Sequence, residues 1–233
     1  MNSYSEHDAL SSTKQNKPPK TAAWIWLTVV GILTVIAFGL SESERPDEPL
    51  IYSYQLTAGA LFMAFILIVA SVVIAYFHVP RNWKETFGFR LCTFRDLGFA
   101  IAILVASLIV AGVLEKVLNA SEVQGIVTDT WDGSRVTPFA INAFLVILLG
   151  PFVEELLFRG VGVYVLSVFG NVTAILLSGF FFGLVHGIWQ ALPALVLFGI
   201  GLAYLRYRTK SVLPAFFGHA LFNGIGLGVS FLT

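Results

Sequence analysis

Seven apolar runs, each near the ~20 residues a helix needs to cross a ~30 Å hydrocarbon core, divide this chain almost from end to end. They cover residues 22–40, 57–79, 97–118, 139–168, 171–187, 190–207 and 212–232. Composition agrees, since 57% of the residues are apolar and 12% charged, where a soluble domain carries about 25% charge. The expected fold is all-α: a polytopic transmembrane helical bundle of about seven spans, seven to eight. Net charge is zero, which gives no argument for a nucleic-acid partner. The single Cys92 excludes an internal disulfide. Residues 1–20 are polar and read as a disordered cytoplasmic tail, 21–137 carry spans one to three with their linkers, and 138–233 hold the remaining helices. The basic and aromatic linker 81–96 reads as an interfacial segment.

Orientation follows from the distribution of Lys and Arg among alternate loops. Lys14, Lys17, Lys20, Arg81, Lys84, Arg90, Arg95, Arg206, Arg208 and Lys210 fall on one side of a seven-span chain. The other side has Arg45, Lys116 and Arg135 against Glu42, Glu44, Asp47, Glu48, Glu115, Glu122, Asp129 and Asp132. The expected protein is multi-pass in the cell (inner) membrane, with a cytoplasmic amino terminus and an external carboxyl terminus.

Against this background the charges inside the spans stand out. The stretch VEELLFRG places Glu154, Glu155 and Arg159 in the fourth run. An ionisable side chain at mid-membrane costs roughly 2.5–3.5 kcal/mol, so it faces protein or water and marks a functional site by default. Glu155 and Arg159 are four apart, share a helix face and can pair. Glu154 is turned about 100° from its neighbour and must point elsewhere. His186 lies in the fifth run, and His219 and Asn223, again four apart, in the seventh. At ~1.5 Å per residue, Glu154, His186 and Asn223 fall near one depth and His219 about 6 Å off it, an offset that tilt or a late helix start absorbs, so the four are expected in one layer around a common cavity. Gly179, Gly183 and Gly187 recur every fourth residue and permit close helix packing. His78 at the end of the second run reads as interfacial, and His7 lies in the tail.

A carboxylate, two imidazoles and an amide in a partly dry cavity suit hydrolysis by activated water. Glu154 would take the proton from water and return it to the leaving amine. His186 would orient the water, and His219 and Asn223 would donate to the developing oxyanion, at roughly 3 kcal/mol per donor. Two His and one Glu are also a ligand set for a divalent metal such as zinc. The residues leave both mechanisms open.

Three motifs, EELLFR (Glu154–Arg159), FGLVH (Phe182–His186) and HALFN (His219–Asn223), fit EExxxR, FxxxH and HxxxN. In this order they resemble the CPBP family, which includes CAAX prenyl endopeptidases and bacteriocin-processing or immunity proteins. The resemblance covers residues 139–233. It implies an intramembrane endopeptidase, glutamate- or metal-dependent, acting on membrane-associated proteins or peptides, prenylated CAAX-type chains among them, in the lipid bilayer. Its catalytic residues would be Glu154, Glu155, Arg159, His186, His219 and Asn223, within a catalytic helical core at 138–233. The rival readings are an idle scaffold or bacteriocin-immunity protein that keeps the polar cluster as structural glue, and a proton-relay transporter. A serine-protease pairing of Ser178 with a histidine is disfavoured, with Ser178 read as a packing residue.

Overall fold

The computed structural model describes residues 17–41, 49–79, 86–118 and 132–229, and every regular element among them is helical. Seven long helices follow the seven apolar runs. They are α1 (Lys20–Ser41), α2 (Tyr54–His78), α3 (Phe94–Leu118), α4 (Val136–Phe169), α5 (Asn171–Leu184), α6 (Leu192–Thr209) and α7 (Leu213–Val229). Helices α1 to α4 are long and apolar enough to cross a bilayer. Helices α5 and α7, with 14 and 17 residues, are shorter. They extend only about 21 and 26 Å. Beyond α5 the chain continues in turns at residues 185–191. The tail to residue 16 and the loop charges at 42–48, 80–85 and 119–131 lie outside the described residues, as do the side chains of His78, Glu115 and Lys116.

The outward faces carry Val35, Phe62, Phe65 and Ile109, all more than half exposed. A helix apolar on every side is stable where lipid replaces water. The fifth helix stops at Leu184 rather than running to Gly187, because Gly187 takes φ +68° and turns the chain. A Cβ there would also press on the Ala37 carbonyl of α1 at 2.7 Å.

Helix α4 is continuous but irregular. Two π-helical stretches, Leu145–Leu149 and Leu156–Gly162, flank an α-helical turn at Gly150–Glu155. The first has a local cause. Pro151 offers no N–H, and its ring collides with the carbonyl four residues back in a regular helix. The chain answers by widening one turn, so that the Gly150 N–H bonds to the Leu145 carbonyl five residues back. A Cβ on Gly150 would lie 3.0 Å from that same oxygen.

Three other helices donate to carbonyls within the widened turns. Asn223 Nδ2 of α7 donates to Val146 O at 2.9 Å, Trp26 Nε1 of α1 to Leu157 O at 2.9 Å, and Ser178 Oγ of α5 to Phe158 O at 2.9 Å. In hydrocarbon an unsatisfied backbone group costs several kcal/mol, so these donors stabilise the distortion. Trp26 is fully buried and stacks edge-on to Phe158 at 5.7 Å. Gly162 makes room for it, since a Cβ there would come within 2.7 Å of the indole.

Helices α5 and α6 approach backbone to backbone. A Cβ on Gly179 would fall on the Ile200 main chain, and one on Gly199 would lie 2.7 Å from Gly179 O. The bundle ends are also tied. At one, Ser211 Oγ donates to Arg90 O, and Val212 N donates to Gly88 O at 2.9 Å. At the other, buried Asn142 donates from Nδ2 to Ile51 O and Ser53 O, each at 2.9 Å, and accepts from Thr57 Oγ1. Each end therefore gathers the loops that alternate connections should bring to it.

Gly179→Ala should lower the melting temperature in detergent, by an overpacking cost of about 1–3 kcal/mol. Gly226→Ala, where a Cβ meets nothing within 4 Å, should leave it unchanged. A thermal melt followed by intrinsic fluorescence compares the two.

Candidate active site

The site forms where the α turn of α4 between the two π stretches faces α6 and α7. Glu155 and Arg159 pair as their spacing predicts, with Nη1 3.0 Å from Oε1 and neither side chain exposed. Arg159 also donates from Nη2 to Gly199 O on α6 at 3.0 Å. Its guanidinium lies over the Phe182 ring at 4.1 Å and near Phe158 at 5.9 Å. A carboxylate, a carbonyl and two aromatic faces thus replace water around one buried cation. Truncating either partner of such a pair leaves an uncompensated charge, at about 3–5 kcal/mol.

His219 joins the same carboxylate. Its Nδ1 donates to Glu155 Oε1 at 3.0 Å, and the ring is 3% exposed. Glu155, ionised by its pairing with Arg159, can only accept here, so Nδ1 carries the proton. That turns Nε2 towards Glu154, whose Oε2 is 3.8 Å away. The two adjacent glutamates therefore differ in setting. Glu155 is sealed, whereas the Glu154 side chain keeps 24% of its surface exposed. Oε2 of each is buried without a hydrogen-bond partner.

His186 sits in the turn just beyond α5 and not within the helix as expected. Its Nδ1 donates to Phe182 O at 2.7 Å, which leaves Nε2 as an acceptor. It stands within electrostatic reach of Glu154, His219 and Arg159. Phe182, fully buried, meets His186 at 4.9 Å and His219 at 5.4 Å between ring centroids. Phe198 closes the other side of His219 at 5.5 Å. Sequence reasoning passed over Phe182 as a site residue, although it opens FGLVH and its ring touches three of the polar side chains.

The structure reverses the expected depths of the α7 pair. His219 reaches the carboxylates, while Asn223 bonds Val146, eight residues before Glu154 and about 12 Å away along the rod. Counting depth along separate helices assumes a common starting level and no tilt, and the packing between helices decides both, with the π turns adding only about 1.5 Å each. Ser178, fully buried, is committed to Phe158 O.

Among the described residues no group of three or more His, Cys, Asp or Glu side chains is arranged to hold a metal ion. Glu155 is already shared by Arg159 and His219. The donors do not fit a three-ligand metal site in this arrangement.

The four apolar helices long enough to cross a bilayer make this an integral membrane protein, with a sealed carboxylate–guanidinium pair beside a second, more open carboxylate and two imidazoles inside the bundle. Residues 136–225 match the family model described as type II CAAX prenyl endopeptidase Rce1-like, and the matched segment spans all six polar residues. The similarity covers 90 of the 233 residues and overlaps the segment that resembles the CPBP family. Neither a curated protein nor a solved structure matches the chain.

Glu155→Gln should destabilise the protein by about 3–5 kcal/mol, because Arg159 loses its buried counter-charge. Glu154→Gln, which breaks no hydrogen bond, should melt within a few degrees of wild type. Equal losses in the two melts would overturn this division between a structural and an available carboxylate.

Proposed function

We propose that the chain is an intramembrane endopeptidase in which Glu154 activates water to hydrolyse a peptide bond of a membrane-associated substrate. The observation that carries this reading is the 3.8 Å pairing of Glu154 Oε2 with His219 Nε2, held in place by Glu155 and Arg159. A water about 2.8 Å from each atom would close a triangle on that edge, giving one hydrogen to the carboxylate and one to the imidazole. Its oxygen lone pair is then aimed at a carbonyl carbon. Glu154 removes the proton as hydroxide adds, and the tetrahedral intermediate forms. The same carboxyl returns the proton to the departing amine as the C–N bond breaks.

His219 thus serves as an acceptor for water in place of the oxyanion donor expected from sequence, since its one proton is directed to Glu155. Asn223, bonded to Val146 O, holds α7 against α4, and His186 offers Nε2 as a further acceptor for the water. Glu155 and Arg159 position His219.

An apolar cavity of about 460 Å³ lies between α3 and α7, lined by Leu97, Ile101, Leu104 and Phe217, with Ile147 of α4 at its side. It runs along the helix that carries His219 and supports a lipid-linked, prenylated CAAX-type substrate. Residues 21–137 would complete the bundle around the 138–233 core, and the basic end would face the cytoplasm.

Peptide cleavage by detergent-purified protein, read by mass spectrometry on farnesylated and unmodified CAAX peptides, tests the reading. Glu154→Gln should reduce turnover at least about 100-fold, the scale of a lost general base, while the protein stays folded. The farnesylated peptide should be cut faster than its unmodified counterpart, and a chelator should leave the rate unchanged. Wild-type turnover in the Glu154→Gln variant would remove Glu154 as the general base, and no cleavage by either protein would favour the scaffold reading. Activity lost to chelator and restored by zinc would replace the water mechanism with a metal one.

A further inference from the structure

The basic end of the bundle carries a second feature, independent of the proteolytic site. Arg90 in the segment before α3, Arg95 in its first turn, Arg208 in the last turn of α6 and Lys210 just after it are all exposed. The fold brings them together around one ring: Arg95 and Arg208, from different helices, lie over Phe99 at 5.7 and 5.6 Å. Lys210 lies over Tyr207 at 4.2 Å. Arg90 and Arg208 both act electrostatically on Asp96, which places them about the same point. Asp96 offsets one of the four positive charges, so the cluster stays net basic, while its carboxylate caps the start of α3. Its Oδ2 accepts from Thr93 N at 2.9 Å, and Thr93 Oγ1 accepts from Asp96 N at 3.3 Å.

Long apolar side chains stand beside these charges. Phe94 is 94% exposed and Leu91 85% exposed, each adjacent in sequence to one of the arginines. Such side chains are unfavourable in water and favourable in the upper acyl region, with the guanidinium groups level with the phosphates. Helices α3 and α6 begin and end at this level, which is where a bilayer's headgroups lie.

We propose that Arg90, Arg95, Arg208 and Lys210 form a binding surface for the headgroup of an anionic phospholipid, with Leu91 and Phe94 seated in the acyl region beneath it. The surface is tied to the helix bearing His219. Arg90 O accepts from Ser211 Oγ and Gly88 O from Val212 N, and α7 starts at Leu213. A bound headgroup would therefore fix the start of α7.

The test uses full-length protein in detergent with equal amounts of phosphatidylglycerol and phosphatidylcholine of the same acyl chains, and native mass spectrometry reads what is retained. Phosphatidylglycerol should be retained preferentially, on the order of tenfold for a patch of this charge. The double variants Arg90→Gln/Arg95→Gln and Arg208→Gln/Lys210→Gln, each paired with a thermal melt to confirm folding, should cut that preference severalfold. Arg135→Gln at the opposite end should leave it intact. Equal retention of the two lipids by wild type would overturn the proposal, as would an unchanged preference in a folded double variant or an equal loss in Arg135→Gln. Displacement of the lipid by millimolar inorganic phosphate would also overturn it, in favour of a plain anion site.

Discussion

A guanidinium held in a membrane interior without water is the constraint around which the rest of this structure is arranged. Arg159 is accommodated there by Glu155, the Gly199 carbonyl and the Phe182 face, which surround it together. Each partner comes from a different stretch of chain, so the cation fixes α4, α5 and α6 relative to one another. The close approach of α5 to α6 follows. Gly199 must present its carbonyl to Arg159 while its α-carbon lies on Gly179, and a side chain at either glycine would move the acceptor away. A costly charge thereby becomes a device for specificity, since few alternative packings satisfy it.

The same pair sets the chemistry of its neighbours. Because Glu155 is an ionised acceptor, His219 must direct Nδ1 towards it, and Nε2 is left on the side of Glu154. Two glutamates that are adjacent in sequence thus acquire different environments from a single ion pair. The two π stretches of α4 frame the turn that carries them, and carbonyls within those stretches accept from Trp26, Ser178 and Asn223. Distortion of this kind is common beside functional sites, where it changes the direction of side chains without ending the helix. Here it also lets α1 contribute to the position of the acidic turn, through the indole of Trp26.

Much of this was legible in the sequence. The apolar runs were, because hydrophobic length is a property of composition along the chain and needs no partner. The Glu155–Arg159 pair was also legible, because helical spacing alone puts residues four apart on one face. The order of His219 and Asn223 in depth was not. Depth counted from loop ends depends on where each helix starts and how it tilts against its neighbours, which no local spacing encodes. The end of α5 before His186 rests on Gly187 adopting a positive φ against Ala37, a contact between segments 150 residues apart in the chain.

The sequence by itself determined a helical membrane protein, its charged turn and the residue types of its site. These depend on hydrophobic run length, helical period and intrinsic chemistry, all of which act locally. Only the tertiary structure decided which carboxylate is sealed and which is available, which nitrogen of His219 carries the proton, and that Phe182 joins both imidazoles to the arginine. Those outcomes depend on distances between separate helices. Such distances are set by close packing at glycine contacts and by the need of every buried charge and carbonyl to find a partner.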